Sequence, residues 1–125
     1  MNKSILIVDD DGAICQMMYE MITRKFRDVT VDFIKSGEES IDKICMNNYD
    51  LVFMDINFGK GSMDGLEALK QIKEIKPEQN VYMMTGYEIK SKMMEIIKNN
   101  ALGILLKPFK LEKLYDIIEN YVVLR

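Results

Sequence analysis

The 125-residue chain contains no histidine. That absence excludes histidine-ligated metal centres, Ser–His or Cys–His catalysis, and any role in which the protein carries a phosphoryl group on its own imidazole. Chemistry here has to run on carboxylates, ammonium groups, hydroxyls and backbone. Cysteine is scarce: Cys15 and Cys45 both fall in segments of helical pattern, without C-x-x-C spacing. They are expected to be buried free thiols of a cytosolic protein, not a disulfide or metal framework. Positive charge is not in excess, with 17 Lys and Arg against 20 Asp and Glu and a net charge of −3. The chain therefore has no basic footprint for nucleic acid or an anionic membrane. No apolar run approaches the roughly 20 residues of a membrane span. The first apolar stretch, Ile5 to Val8, runs straight into three aspartates, which excludes a secretory signal and points to the cytoplasm.

The composition that remains, 48% apolar and 30% charged, is that of an ordinary globular chain. Its length suffices for a hydrophobic core without staples, and residues 1–125 read as one domain. Strand-like runs lie at Ser4–Val8, Val29–Ile34, Leu51–Met54, Val81–Met84 and Ile104–Leu106. Helical patterns separate and follow them. The first covers about Ala13 to Phe26, with Ile14, Met17, Met18, Met21 and Ile22 on one side. The second starts at Ser36, whose Glu39 three residues on makes a capping-box pattern, and ends near Asn47–Asn48. The third spans about Asp64 to Lys76 and stops at Pro77. The fourth covers about Glu88 to Asn99 and the fifth about Leu111 to Val123. Five-fold strand–helix alternation implies a doubly wound α/β fold, a five-stranded parallel sheet with helices on both faces. Four strands are continuously apolar, as burial on both faces requires. The second alternates, Val29, Val31 and Phe33 against Thr30 and Asp32, which suits an edge. The expected order is 2-1-3-4-5.

In such sheets ligands bind beyond the carboxyl ends of the strands, where the strand order reverses. Asp9, Asp10 and Asp11 follow the first strand, Asp55 the third, Thr85-Gly86 the fourth and Lys107-Pro108 the fifth. Crowded carboxylates repel unless a cation joins them. All-oxygen donors select Mg²⁺. An aspartate can then be the nucleophile that forms an acyl phosphate, with Lys107 and Thr85 pairing with phosphoryl oxygens. Singly, each residue has a plainer role: Asp11 reads as an N-cap, Asp55 and Thr85-Gly86 as turn residues, Lys107 as a solvated lysine. Their convergence at four neighbouring strand ends favours the chemical role.

The segments ILIVDDD, LVFMDIN, MTG and LLKPF together resemble the response-regulator receiver domain of two-component signalling, over essentially the whole chain and in the flavodoxin-like fold. The resemblance implies that Asp55 is the phospho-acceptor and Asp10 a direct ligand of Mg²⁺ or Mn²⁺. It makes Asp9 the acidic partner acting beside that ligand, without direct contact. Asn57 matches the position whose main-chain carbonyl joins the metal, Thr85 the hydroxyl that moves onto the phosphoryl group, and Lys107 the lysine that pairs with it. A cis Lys107–Pro108 bond is expected. The implied partners are a sensor histidine kinase or histidine phosphotransfer protein, and a downstream target or output domain on the surface of the fourth helix, fifth strand and fifth helix. A signalling switch of this kind catalyses only its own phosphorylation and dephosphorylation.

Departures from the family pattern are visible. Phe58-Gly59 stands at the Met-Pro place and Gly65 lies ten residues after Asp55, so the loop is two residues longer and Gly59 to Gly61 read as a lengthened connection. Ile104 stands where the switch aromatic is usual, so Tyr87 or a rotamer change at Ile104 is expected to substitute. Asn99-Asn100-Ala101 replaces Gly-Ala, suggesting a left-handed helix stop at asparagine. The stretch MDINFGKGSMDG fits neither a Walker loop nor a dinucleotide or EF-hand pattern. The strongest alternative is a haloacid-dehalogenase-like phosphatase using Asp9 and Asp11, since Asp9-Asp10-Asp11-Gly12 resembles its DxDG signature. It leaves Asp55 without a role and lacks a late acidic pair at a strand end. A flavin-binding module is disfavoured because three aspartates would repel the FMN phosphate.

Overall fold

In a computed structural model that describes residues 2–57 and 63–124, five strands and five helices alternate. They are β1 (Lys3–Val8), α1 (Gly12–Lys25), β2 (Val29–Ile34), α2 (Gly37–Met46), β3 (Leu51–Asp55), α3 (Gly65–Ile75), β4 (Val81–Thr85), α4 (Ser91–Asn100), β5 (Gly103–Leu106) and α5 (Leu111–Ile118), which runs into a π-helical turn at Glu119–Val123. All pairings are parallel, in the order β2-β1-β3-β4-β5. The fold is therefore flavodoxin-like, as the apolar runs and the alternating second strand indicate.

Strand geometry sends alternate side chains to opposite faces, and this splits the core in two. Ile5, Ile7, Phe53 and Leu105 meet Cys15, Met18 and Ile22 of α1 and Leu114, Ile117 and Ile118 of α5. On the other face Leu6, Val8, Val52 and Met54 meet Ile44 of α2, Leu69 and Ile72 of α3 and Ile97 of α4. β1 and β3 lie inside the sheet, and Ile5 to Val8 and Leu51 to Met54 are wholly buried. β5 is the second edge, and there the expectation of burial on both faces fails: Leu106 is 61% exposed. The stripe expected on α1 is also narrower, since Met17 is 41% exposed and the buried positions are Cys15, Met18 and Ile22.

Capping follows the sequence closely at three helices. Asp11 accepts from Ala13 and Ile14 N–H, Ser36 from Glu39 N–H and Asp64 from Glu67 N–H. Such caps satisfy backbone donors that the first turn leaves unpaired. The fourth helix differs from expectation at both ends. It begins at Ser91 rather than Glu88, because the Thr85 hydroxyl takes the Tyr87 amide and holds the chain in a turn beyond β4. It ends without a left-handed residue. Ala101 is extended, Asn100 Nδ2 turns back to the Ile96 carbonyl, and no non-glycine residue among those described has positive φ. Cys45 corrects another expectation: it is exposed near the end of α2, whereas Cys15 is buried. The lengthened connection assigned to Gly59–Gly61 lies outside the described residues.

Candidate phosphoryl-accepting site

Because every strand runs the same way, the ends of β1, β3, β4 and β5 deliver their residues to one edge of the sheet. There an open cleft of about 500 Å³ is lined by Asp9, Asp10, Asp11, Asp55, Asn57, Gly86, Tyr87 and Lys107. Asp55 closes β3 and is 5% exposed, Asp9 is fully buried, and Asp10 faces solvent. Oxygens of Asp9, Asp10 and Asp55 lie within 4.8 Å of one another. Facing them is Lys107, whose Nζ stands 2.6 Å from Asp9 Oδ2 and 3.5 Å from Asp55 Oδ1. The preceding register fixes this placement. Lys107 N–H donates to the Thr85 carbonyl at 2.8 Å, and the Lys107–Pro108 bond is cis, as expected.

Asp9 and Asp55 share one ammonium, and the balance shows in the protonation of Asp55 and Lys107. Burial, then the charge of Asp9, pushes the Asp55 carboxyl up from 3.8 to about 6, against the pull of Lys107 and of the Asn57 amide. Burial pulls the Lys107 ammonium down, but its hydrogen bond to Asp9 and the charges of Asp55 and Asp9 outweigh that and hold it above the ordinary lysine value. The site thus has one buried carboxylate whose charge is only partly compensated, with an all-oxygen donor set around it. That set fits a hard divalent cation such as Mg²⁺, which takes one or two carboxylates and keeps water for the rest.

The sequence-derived residues fall into two groups. Asp9, Asp10, Asp55, Asn57 and Lys107 come together in the cleft. Thr85 ends β4 beside them and is buried, but its hydroxyl is engaged with its own loop: Tyr87 N–H donates to Oγ1 at 3.0 Å. Two features escaped the sequence reading. Lys107 rests on Asp9 more closely than on Asp55. Gly65 is required by close approach, because a Cβ there would stand 1.9 Å from the Asp55 carbonyl oxygen. Its ten-residue distance from Asp55 was the only available signal. Asp11 lines the cleft, and its side chain caps α1.

Known proteins resemble this chain over most of its length. A family model described as the response regulator receiver domain matches residues 5–119. The transcriptional regulatory protein ZraR of Klebsiella oxytoca is 34% identical over 110 residues, 88% of this chain but 24% of that protein. The chain therefore spans about a quarter of such relatives. The chemotaxis protein CheY of Bacillus subtilis is 29% identical over 96% of this chain and 98% of its own. Among solved structures, response regulator protein TrrA of Thermotoga maritima, in complex with Mg²⁺-BeF, superposes with a TM-score of 0.83 at 26% identity, covering 96% of this chain and 99% of that one. None of these matches supports the dehalogenase-like phosphatase.

Proposed function

This chain belongs to the response regulator receiver domain family, and on that premise we propose that residues 1–125 form one phospho-accepting switch, with Asp55 as the acceptor. The observation that carries the reading is the setting of Asp55: a buried carboxylate at a strand end, open to the cleft on one side and faced by Lys107, Asp9 and Asp10. Asp55 attacks the phosphorus of a phosphohistidine. The O–P bond forms, the P–N bond breaks, and the electron pair leaves on the imidazole, which takes up a proton. The donor histidine belongs to a sensor kinase or phosphotransfer protein, since this chain has none. Water later attacks the phosphorus of the acyl phosphate: its P–O bond forms, the P–O bond to Asp55 breaks, and inorganic phosphate and a proton leave the restored carboxylate. Catalysis is limited to these two steps on the chain itself, so the protein is a switch and not a metabolic enzyme.

Mg²⁺ or Mn²⁺ held by Asp10, Asp55 and the Asn57 carbonyl, with Asp9 alongside, would offset the charge of the phosphoryl oxygens. Lys107 leaves Asp9 for a phosphoryl oxygen, as a point charge on a flexible stem allows. Thr85 turns its hydroxyl to another, and Tyr87 N–H then loses its acceptor. The connection into α4 consequently rearranges, with Ile104 in place of an aromatic ring, and the surface of α4, β5 and α5 changes for a protein target or output domain. The net charge of −3 gives this chain no direct hold on nucleic acid. Among the described residues no helix is long and apolar enough to cross a membrane, in keeping with action in the cytoplasm. Incubation with acetyl phosphate and Mg²⁺ tests the reading by intact mass: wild type gains one phosphoryl group and Asp55→Asn gains none. Equal gains in both would overturn it.

A further inference from the structure

Beyond the cleft, the chain that returns from β3 to α3 is fixed at three successive residues. Met63 N–H donates to Glu38 Oε1 at 3.1 Å. Asp64 Oδ1 accepts from Glu67 N–H at 2.8 Å and caps α3. Gly65 N–H donates to the Ile56 carbonyl at 2.9 Å, directly under the acceptor strand. The last two ties are local to β3 and α3. Glu38 is not: it lies in the first turn of α2, 25 residues away in sequence from its partner. Gly37 permits the approach, since a Cβ there would stand 3.0 Å from the Met63 carbonyl oxygen and 3.3 Å from Ala68 Cβ. Contacts therefore run from Glu38 through Met63 and Gly65 to Ile56, the neighbour of Asn57.

We propose that Glu38 is a positioning residue for the phosphoryl-accepting site. Its carboxylate holds the main chain at Met63 to Gly65, so that Asp55 to Asn57 keep the arrangement that binds a divalent cation. This rests on the function proposed above. A purely structural role would be a favourable charge at the positive end of α2, which Glu39 in the same turn supplies equally. Among the described residues the side-chain hydrogen bond to Met63 N–H comes from Glu38 and not from Glu39, so the two residues separate the roles.

The test uses Mg²⁺ titration by calorimetry and amide hydrogen exchange in metal-free protein. Glu38→Ala is expected to weaken Mg²⁺ binding about threefold to tenfold and to speed exchange at Gly65 by a similar factor, the scale of one lost hydrogen bond. Glu38→Gln keeps an acceptor oxygen while losing the charge, and Glu39→Gln loses the same charge without the contact. Both are expected within about twofold of wild type. Wild-type affinity and exchange in Glu38→Ala would overturn the proposal, as would a Glu38→Gln as weak as Glu38→Ala. Wild-type protein that binds no Mg²⁺ would overturn the functional reading beneath it. Exchange at Gly65, read without metal, tells that failure apart from a failure of the Glu38 contact.

Discussion

Replacing Asp55 with asparagine should stabilise the metal-free protein at neutral pH while abolishing its chemistry. Burial and then the Asp9 charge raise the Asp55 carboxyl from 3.8 to about 6. Each pKa unit is worth about 1.4 kcal/mol, so ionised Asp55 costs the folded state about 3 kcal/mol relative to the unfolded chain. A raised folded-state value means that the stability is fully present below 3.8 and is lost as pH rises through about 6. The value of about 6 already includes the pull of Lys107, 3.5 Å away, and asparagine removes the charge but leaves a buried amide that needs its own hydrogen-bond partners. A net gain of about 1–3 kcal/mol remains, or roughly 4–10 °C for a chain of this size. Thermal and urea unfolding in EDTA at pH 7.5 and pH 4 would measure it. At pH 4 the difference should shrink to about 0.5 kcal/mol, because the folded carboxyl is then almost wholly protonated and the unfolded one, near its own pKa of 3.8, only about half ionised. Equal stabilities at pH 7.5, or a gap as wide at pH 4, would refute the claim that Asp55 is held at the cost of fold stability.

Other substitutions report on the same site. Lys107→Met leaves fully buried Asp9 without its ammonium, and should cost about 3 kcal/mol in urea unfolding. Added Mg²⁺ should recover part of that loss, and a variant as stable as wild type would show that the pair carries no weight. Gly65→Ala drives a Cβ to 1.9 Å from the Asp55 carbonyl oxygen, so α3 has to shift and stability should fall by about 2–4 kcal/mol. Amide spectra of Asp55 to Asn57 should move with it, and unchanged spectra would contradict the close approach.

Much of this molecule is legible in the sequence because the determining interactions are local. Runs such as Ile5–Val8 and Leu51–Met54 can be satisfied only inside a parallel sheet, and the alternation at Val29–Phe33 marks an edge. Asp11, Ser36 and Asp64 cap helices through backbone groups two or three residues away, so their roles can be read from spacing. The site was legible for the same reason: a parallel sheet gathers its strand ends, and Asp9, Asp10, Asp55 and Lys107 are the residues at those ends. What escaped depends on distant partners. That Lys107 rests on Asp9, that Gly65 lies against Asp55, and that Glu38 reaches Met63 are facts of packing between elements. The delayed start of α4 arises from the Thr85 hydroxyl and the Tyr87 amide, a competition that helical periodicity does not register. Likewise Asn100 satisfies a carbonyl of its own helix and so needs no left-handed turn.

The central claim is that one particular carboxylate, Asp55, receives the phosphoryl group. Borohydride reduction of protein treated with acetyl phosphate and Mg²⁺, followed by peptide mass spectrometry, tests it most directly, because an aspartyl phosphate is reduced to homoserine at the residue that carried it. The account predicts homoserine at position 55, with Asp9, Asp10 and Asp11 intact. Homoserine at position 9, or none at any aspartate of a protein that has gained phosphoryl mass, would contradict it.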